Sequence, residues 1–279
     1  MASTAIAAAN IANFLPVIMS LKIKAAVESN LVIAKLLDRR YEADLKYGKG
    51  VDVPNLSNLV ANAVNTAQET TLNDILQNTD QILVNYWWET AVGLSDQHKA
   101  QAIPPTLDAL AEKCGYGIAE KIDASLGALF NAFSQSVGTE GSALTADVLL
   151  SAYEYLNLAN APAKDRAWIF DPESITDLMK IDMFVRSDYV PGSVMANGWT
   201  GRSILGSPVY ITTNLAVVNT TYHGAAYLHK EAIALIMQQA PRARRYEWPQ
   251  KYTTVVSVDA MWGMKEMRDT FGCWIRTRS

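Results

Sequence analysis

The sequence predicts an α+β fold built from one long helix, a projecting hairpin and a second half of short strands and tight turns. Three observations carry that prediction. Leu107, Leu110, Ala111, Cys114, Ile118, Ile122, Leu126 and Leu129 recur at steps of three and four, with one step of one, as one face of a helix requires. Val51-Asp52-Val53-Pro54 and the run from Gln81 to Trp88 alternate apolar and polar residues in the manner of strands. After Lys180, Gly and Pro punctuate segments rich in Val, Ile and Tyr, the signature of closely spaced strands.

Residues 1–30 carry mostly Ala, Ser, Thr and Asn, with no charge before Lys22. This predicts either a mobile arm or a segment that orders against a neighbour, and it lacks the basic start of a secretory signal. The apolar run Ile11 to Leu21 is too short to span a bilayer. Leu31, Ile33, Ala34, Leu36 and Leu37 predict a short helix between Ser29 and Arg40. Tyr47-Gly48-Lys49-Gly50 is a turn into the first strand. An Asn- and Thr-rich excursion without aromatic residues separates that strand from the one at Gln81–Trp88, where Ile82, Val84, Tyr86 and Trp88 are expected on one face. Two strands around a long polar excursion predict an extended hairpin, which is marginal alone and must lie on something.

Pro104-Pro105 stops the chain, and Thr106 is positioned to cap the long helix, about 25 residues or about 38 Å. Gly115, Gly117 and Gly127 weaken it by about 1 kcal/mol each and are expected to admit a close backbone. Gly138 to Ser142 form a loop, Thr145 to Leu156 a second helix, and Trp168-Ile169-Phe170 a buried strand. Asp171 then caps a helix with Pro172 at its first position. Turns are expected at Pro191-Gly192, Asn197-Gly198, Gly201 and Gly206-Ser207-Pro208, and a last strand around Ile275.

The 279 residues are 49% hydrophobic and 19% charged, poor in charge for a free-standing globular chain, which suggests surface hidden by partners. Net charge is −4, yet Pro241 to Ser279 hold eight Lys and Arg against four Asp and Glu. A solvated strand face accounts for that asymmetry; a weak phosphate-facing surface is the alternative.

The chemistry-bearing residues form no catalytic pattern. Cys114 and Cys273 share no metal or redox spacing, and two cysteines suit a reducing compartment. His98, His223 and His229 lack metal-ligand spacing, and His229 reads as a structural or interface residue. No Gly-x-Ser-x-Gly elbow supports a Ser-His-Asp hydrolase, and neither Gly138-Thr-Glu-Gly141 nor Tyr47-Gly-Lys49-Gly50 matches a phosphate loop. Asp171 and Glu173 are explained by capping, and Asn219-Thr-Thr221 matches a glycosylation acceptor without meaning unless secreted. Arg242-Ala-Arg244-Arg245-Tyr246 suits either nucleic acid or salt bridges between subunits. The prediction is therefore no enzyme, no cofactor, no metal and no membrane partner.

In order, five phrases resemble the major capsid proteins of tailed bacteriophages, the Hong Kong 97 fold. They are Gly48-Lys-Gly50-Val51-Asp-Val53-Pro54; Ser95-Asp96 through Phe130; Trp168-Ile169-Phe170-Asp171-Pro172; Gly201-x-x-Ile204-x-Gly206-x-x-Val209-Tyr210 with Asn214-Leu215; and Ala226 to Ile233 with Trp262-Gly263-Met-Lys265. The resemblance implies an N-terminal arm and short helix (1–40), an extended loop (41–90) and a peripheral domain with its spine helix (91–140). It further implies an axial domain (141–245) and return strands of the peripheral domain (246–279). It also implies self-assembly into pentamers and hexamers of an icosahedral shell around double-stranded DNA, contacted non-specifically, with virion localisation and assembly in the host cytoplasm. A separate scaffolding protein, a portal and a decoration protein are the implied partners. Lys46 and Lys49 lie near the loop, but nothing identifies cross-linking partners, so non-covalent shells are expected. An encapsulin-like compartment is the alternative, and a hydrolase the third reading.

Overall fold

The computed structural model describes residues 32–45, 47–56, 61, 77–101, 106–181, 203–215, 217–218 and 222–278. Its helices are α1 (Ile33–Leu36), α2 (Asp96–Gln101), α3 (Thr106–Ala128), α4 (Ala146–Leu158) and α5 (Pro172–Leu178). Its strands are β1 (Gly50–Leu56), β2 (Gln77–Leu83), β3 (Tyr86–Ser95), β4 (Ser136–Val137), β5 (Arg166–Phe170), β6 (Val209–Ile211), β7 (Val217–Val218), β8 (Tyr222–His229), β9 (Ile233–Trp248), β10 (Thr253–Glu266) and β11 (Gly272–Arg276). The arm at 1–30 and the turns at Pro191-Gly192, Asn197-Gly198 and Gly201 lie outside the described residues, as do Lys46 and Asn219-Thr-Thr221.

The apolar stripe forms α3, where Cys114, Ile118, Ile122 and Leu126 are buried and continue into Phe130. The helix starts at Thr106 itself, one residue earlier than a cap at that position would place it. The expected close backbone at its glycines is corrected at two positions. A Cβ on Gly115 would meet nothing within 4 Å, and one on Gly117 only Thr90 Oγ1 at 3.8 Å.

The hairpin is antiparallel, with Val51 opposite Ile82 and Leu56 opposite Gln77. The strand expected at Gln81–Trp88 is two strands in different sheets. It breaks at Val84-Asn85, after the Val84 N–H donates to the Lys49 carbonyl at 2.9 Å as the last hairpin bond. There the chain crosses Gly263, where an added Cβ would lie 2.3 Å from the Leu83 carbonyl oxygen. Ile82 and Trp88 consequently part company: Ile82 is buried with Leu45, Ala234 and Ile236, whereas Trp88 is 44% exposed under the Lys121 ammonium.

β3, β10 and β9 make a long antiparallel sheet against which α3 packs. The second sheet runs β4-β11-β8-β5-β6, with β7 beside β8, and is mixed, since β11–β4 and β5–β6 pair in parallel. All five residues of β5 are buried, and Trp168 stacks on Tyr227 with ring centroids 3.8 Å apart. Its indole donates to the Ile204 carbonyl at 3.1 Å. That carbonyl belongs to a two-residue turn in which Leu205 and Gly206 have φ of 49° and 77°, the primed geometry that closes a hairpin. Asp171 caps α5 by accepting the Glu173 and Ser174 N–H groups, each at 3.1 Å.

Candidate functional site

The residues a catalytic reading would need do not converge. His98 at α2 bonds through Nδ1 to the Ser95 hydroxyl three residues earlier, a local contact at the strand-to-helix turn. His229, buried at the end of β8, accepts the Glu231 N–H at Nδ1 and meets the Phe271 ring edge-on, and its burial lowers its pKa. The side chain of His223 lies outside the described residues. Cys114 on α3 and Cys273 in β11 are free and buried. Among the described residues no three His, Cys, Asp or Glu cluster as metal ligands do, and no helix is long and apolar enough to cross a membrane.

What the structure does build is a seat for the base of the hairpin and for the chain that enters at Val32. The first is the hairpin. Among its described residues, Asp52, Pro54, Asn55, Thr79 and Gln81 are exposed. Lys265 on β10 reaches Asp80 at 3.0 Å and lowers its pKa, Asn55 donates to the same carboxylate, and Gln238 on β9 donates to the Gly48 carbonyl at 3.0 Å. A cleft of about 130 Å³ separates hairpin and body, lined by Asp38, Arg40, Pro54, Asp80, Glu231 and Arg268. Lys49 stands exposed at the turn before β1.

The second is the strand of chain that enters at Val32. Asp123, buried on α3 one step off the apolar stripe, accepts the Val32 N–H at 2.8 Å and the Ala34 N–H at 3.0 Å. It serves α1 as a cap supplied by another helix, satisfying donors the first turn leaves open. Two residues past α1, Asp38 forms a parallel bridge with Ala234, and its carboxylate takes Arg40 at 2.7 Å. The entering chain is thus locked to α3 and to β9 at once.

The arginine run on β9 resolves into an intrachain network. Arg242 and Arg244 face the same side as Asp259 of β10, which accepts Arg242 Nε at 3.0 Å, Arg244 Nη2 at 3.3 Å and Gln239 Nε2 at 2.7 Å. Burial raises the Asp259 pKa, but these bonds outweigh it and hold it below the usual carboxylate range. Arg245 pairs in register with Val256, so it projects from the opposite face. A further cation of the basic C-terminal stretch is also matched internally: Arg278 binds the buried Asp177 at 2.6 Å, which Lys180 reaches from its own segment at 2.9 Å. Asp123 left a trace in the sequence, as a charge abutting an apolar stripe; Asp259 and the Arg278 contact of Asp177 are assembled from distant residues.

No protein-family model matches the chain, and no curated protein sequence is similar to it. Solved structures are similar. One from Mycobacterium phage Che8 shares 18% identity at a TM-score of 0.76, covering 88% of this chain and 91% of that one. The capsid structure of cyanophage P-SCSP1u shares 15% at 0.74, covering 90% and 89%. One from Gordonia phage Cozz shares 14% at 0.71, covering 98% and 94%. At such identities the likeness is one of fold, and it spans nearly the whole of both chains: the chain has the Hong Kong 97-type fold expected from its sequence.

Proposed function

We propose that this chain is a major capsid protein that assembles into pentamers and hexamers of the icosahedral shell of a tailed double-stranded DNA phage. One observation carries the reading: the fold shared along almost the full chain with a phage capsid. The hairpin then lies across a neighbour. Heterologous contacts of this type close into rings, and many weak contacts per copy make release rare through effective concentration. The compartment-shell alternative is not favoured, because the similar structures come from phages.

In this reading the domains follow the sheets. The three-stranded sheet with α3 is the peripheral part, and the six-stranded sheet with α4 and α5 is the axial part; this assigns β11, expected among the peripheral return strands at 246–279, to the axial part instead. Residues 1–40 are the arm and short helix and 41–90 the extended loop. A separate scaffolding protein, a portal, a decoration protein and packaged DNA complete the partner set, the shell is non-covalent, assembly takes place in the host cytoplasm, and the chain has no catalytic role.

Negative-stain microscopy of the expressed chain, alone and with its scaffold, tests this. Rings or closed shells are expected; a compact monomer at every concentration overturns the reading. Deleting residues 1–28 should abolish closed particles, and protease should cut residues 46–80 in free subunits but not in shells.

A further inference from the structure

Two side chains stand further into solvent than any other large hydrophobic group among the described residues: Tyr47, 92% exposed, and Tyr252, 77% exposed. Both sit on turns that are held in place. Tyr47 precedes Gly48, whose φ of 109° suits glycine and whose carbonyl accepts Gln238 Nε2 at 3.0 Å. The next carbonyl, of Lys49, accepts the Val84 N–H at 2.9 Å. Lys49 is itself exposed, so Tyr47 and Lys49 form a fixed knob carrying one ring and one cation.

Tyr252 ends the turn between β9 and β10 with φ 47° and ψ 49°, left-handed backbone that crowds a bulky side chain and that Gly or Asn adopts more readily. Its carbonyl accepts the Asp96 N–H at 2.8 Å, which ties the turn to the start of α2. Between turn and helix lies an open groove of about 690 Å³, with Asp96 on one wall and Glu247, Trp248 and Tyr252 on the other. Lys251 covers one face of the Trp248 ring at 4.6 Å. The groove offers aromatic surface beside two exposed carboxylates, the complement of a tyrosine next to a lysine.

The chain cannot fill this groove with its own knob. Gln238, which holds Gly48, lies between Met237 and Gln239, the partners of Trp262 and Met261, whereas the groove lies beside Thr253 of the same strand. From Thr253 to Met261 the strand covers about 26 Å at about 3.3 Å per residue. We propose that the Tyr47–Lys49 knob of one copy seats in the Asp96–Tyr252 groove of a second copy, head to tail. The Tyr47 ring packs against Trp248 and Tyr252, and the Lys49 ammonium faces Glu247 and Asp96. Knob and groove are different parts of one surface, so the contact repeats from copy to copy and closes only as a ring. Tyr252 gains its covering there, which accounts for a tyrosine where Gly or Asn would fit the backbone with less strain. The contact rests on the assembly reading and names the surfaces through which one copy meets the next.

Disulfide trapping in the full-length chain, alone and with its scaffold, tests this, because Cys114 and Cys273 are buried and out of reach of a mild oxidant. Tyr47→Cys combined with Tyr252→Cys should give a ladder of covalent multimers on a non-reducing gel. Each single variant should give dimers at most, as should Tyr47→Cys combined with Leu158→Cys, a 70% exposed site on α4. Lys49→Glu should lower the linked fraction about two- to fivefold, and adding Glu247→Lys should restore it. No ladder from the Tyr47–Tyr252 pair, an equal ladder from the Leu158 control, or linkage of Tyr252→Cys to the scaffold alone overturns the contact. Wild-type shells without that ladder sink the contact and leave the capsid reading standing; a ladder that never closes at five or six copies keeps the contact and counts against the capsid.

Discussion

Replacing Gly263 by Ala tests whether the hairpin is seated by direct backbone contact. The new Cβ would lie 2.3 Å from the Leu83 carbonyl oxygen, 2.8 Å from its carbon and 3.1 Å from Val84 Cα. All three are backbone atoms, so no side-chain rotation relieves the overlap. Restoring ordinary contact requires the β2–β3 crossing to retreat by about 1 Å. Overpacking of this kind costs about 1–3 kcal/mol. The retreat also strains the Lys265–Asp80 pair at 3.0 Å, a partly exposed contact that contributes about 0.2–1 kcal/mol. A total near 2–3 kcal/mol lowers the melting temperature of a chain this size by about 5–10 °C. Thermal unfolding of the unassembled variant measures the loss, and limited proteolysis within residues 46–80 should show faster cleavage. A melting temperature within about 1 °C of wild type, with unchanged cleavage, would refute the contact.

Gly115→Ala is the converse case: with nothing within 4 Å of the added Cβ, it should raise stability by up to about 1 kcal/mol, seen as a melting shift of about 2–4 °C. Asp123→Ala removes the acceptor of two N–H groups at the entry of α1 and should cost about 1–3 kcal/mol in denaturant titration, with earlier protease access to the chain ahead of Ile33. Burial pushes the Cys273 thiol up to about 12, so it should resist thiol reagents at pH 8 until the chain unfolds; labelling of the native protein within minutes would contradict its place in β11.

The sequence by itself determined what depends on neighbours within a few turns. The α3 stripe, the Asp171–Pro172 start of α5 and the buried β5 are local, because periodicity, capping and backbone preference act over three or four residues, whereas the turn expected at Gly206-Ser207-Pro208 is centred one residue earlier, on Leu205-Gly206. The pairing of β1 with β2 across a long excursion was also legible, since turn and alternation mark both ends. Tertiary structure alone decided what depends on meetings between distant segments. The alternation from Gln81 to Trp88 runs unbroken in sequence, and only the crossing at Gly263 divides it between two sheets. The arginines at 242 and 244 read as suited to nucleic acid or to salt bridges between subunits until Asp259, on the next strand of the same chain, claims them. Asp123 beside Val32, and Asp269 beside Ser134, follow the same logic: a carboxylate's role is defined by the donors that reach it, and those come from wherever the fold brings the chain.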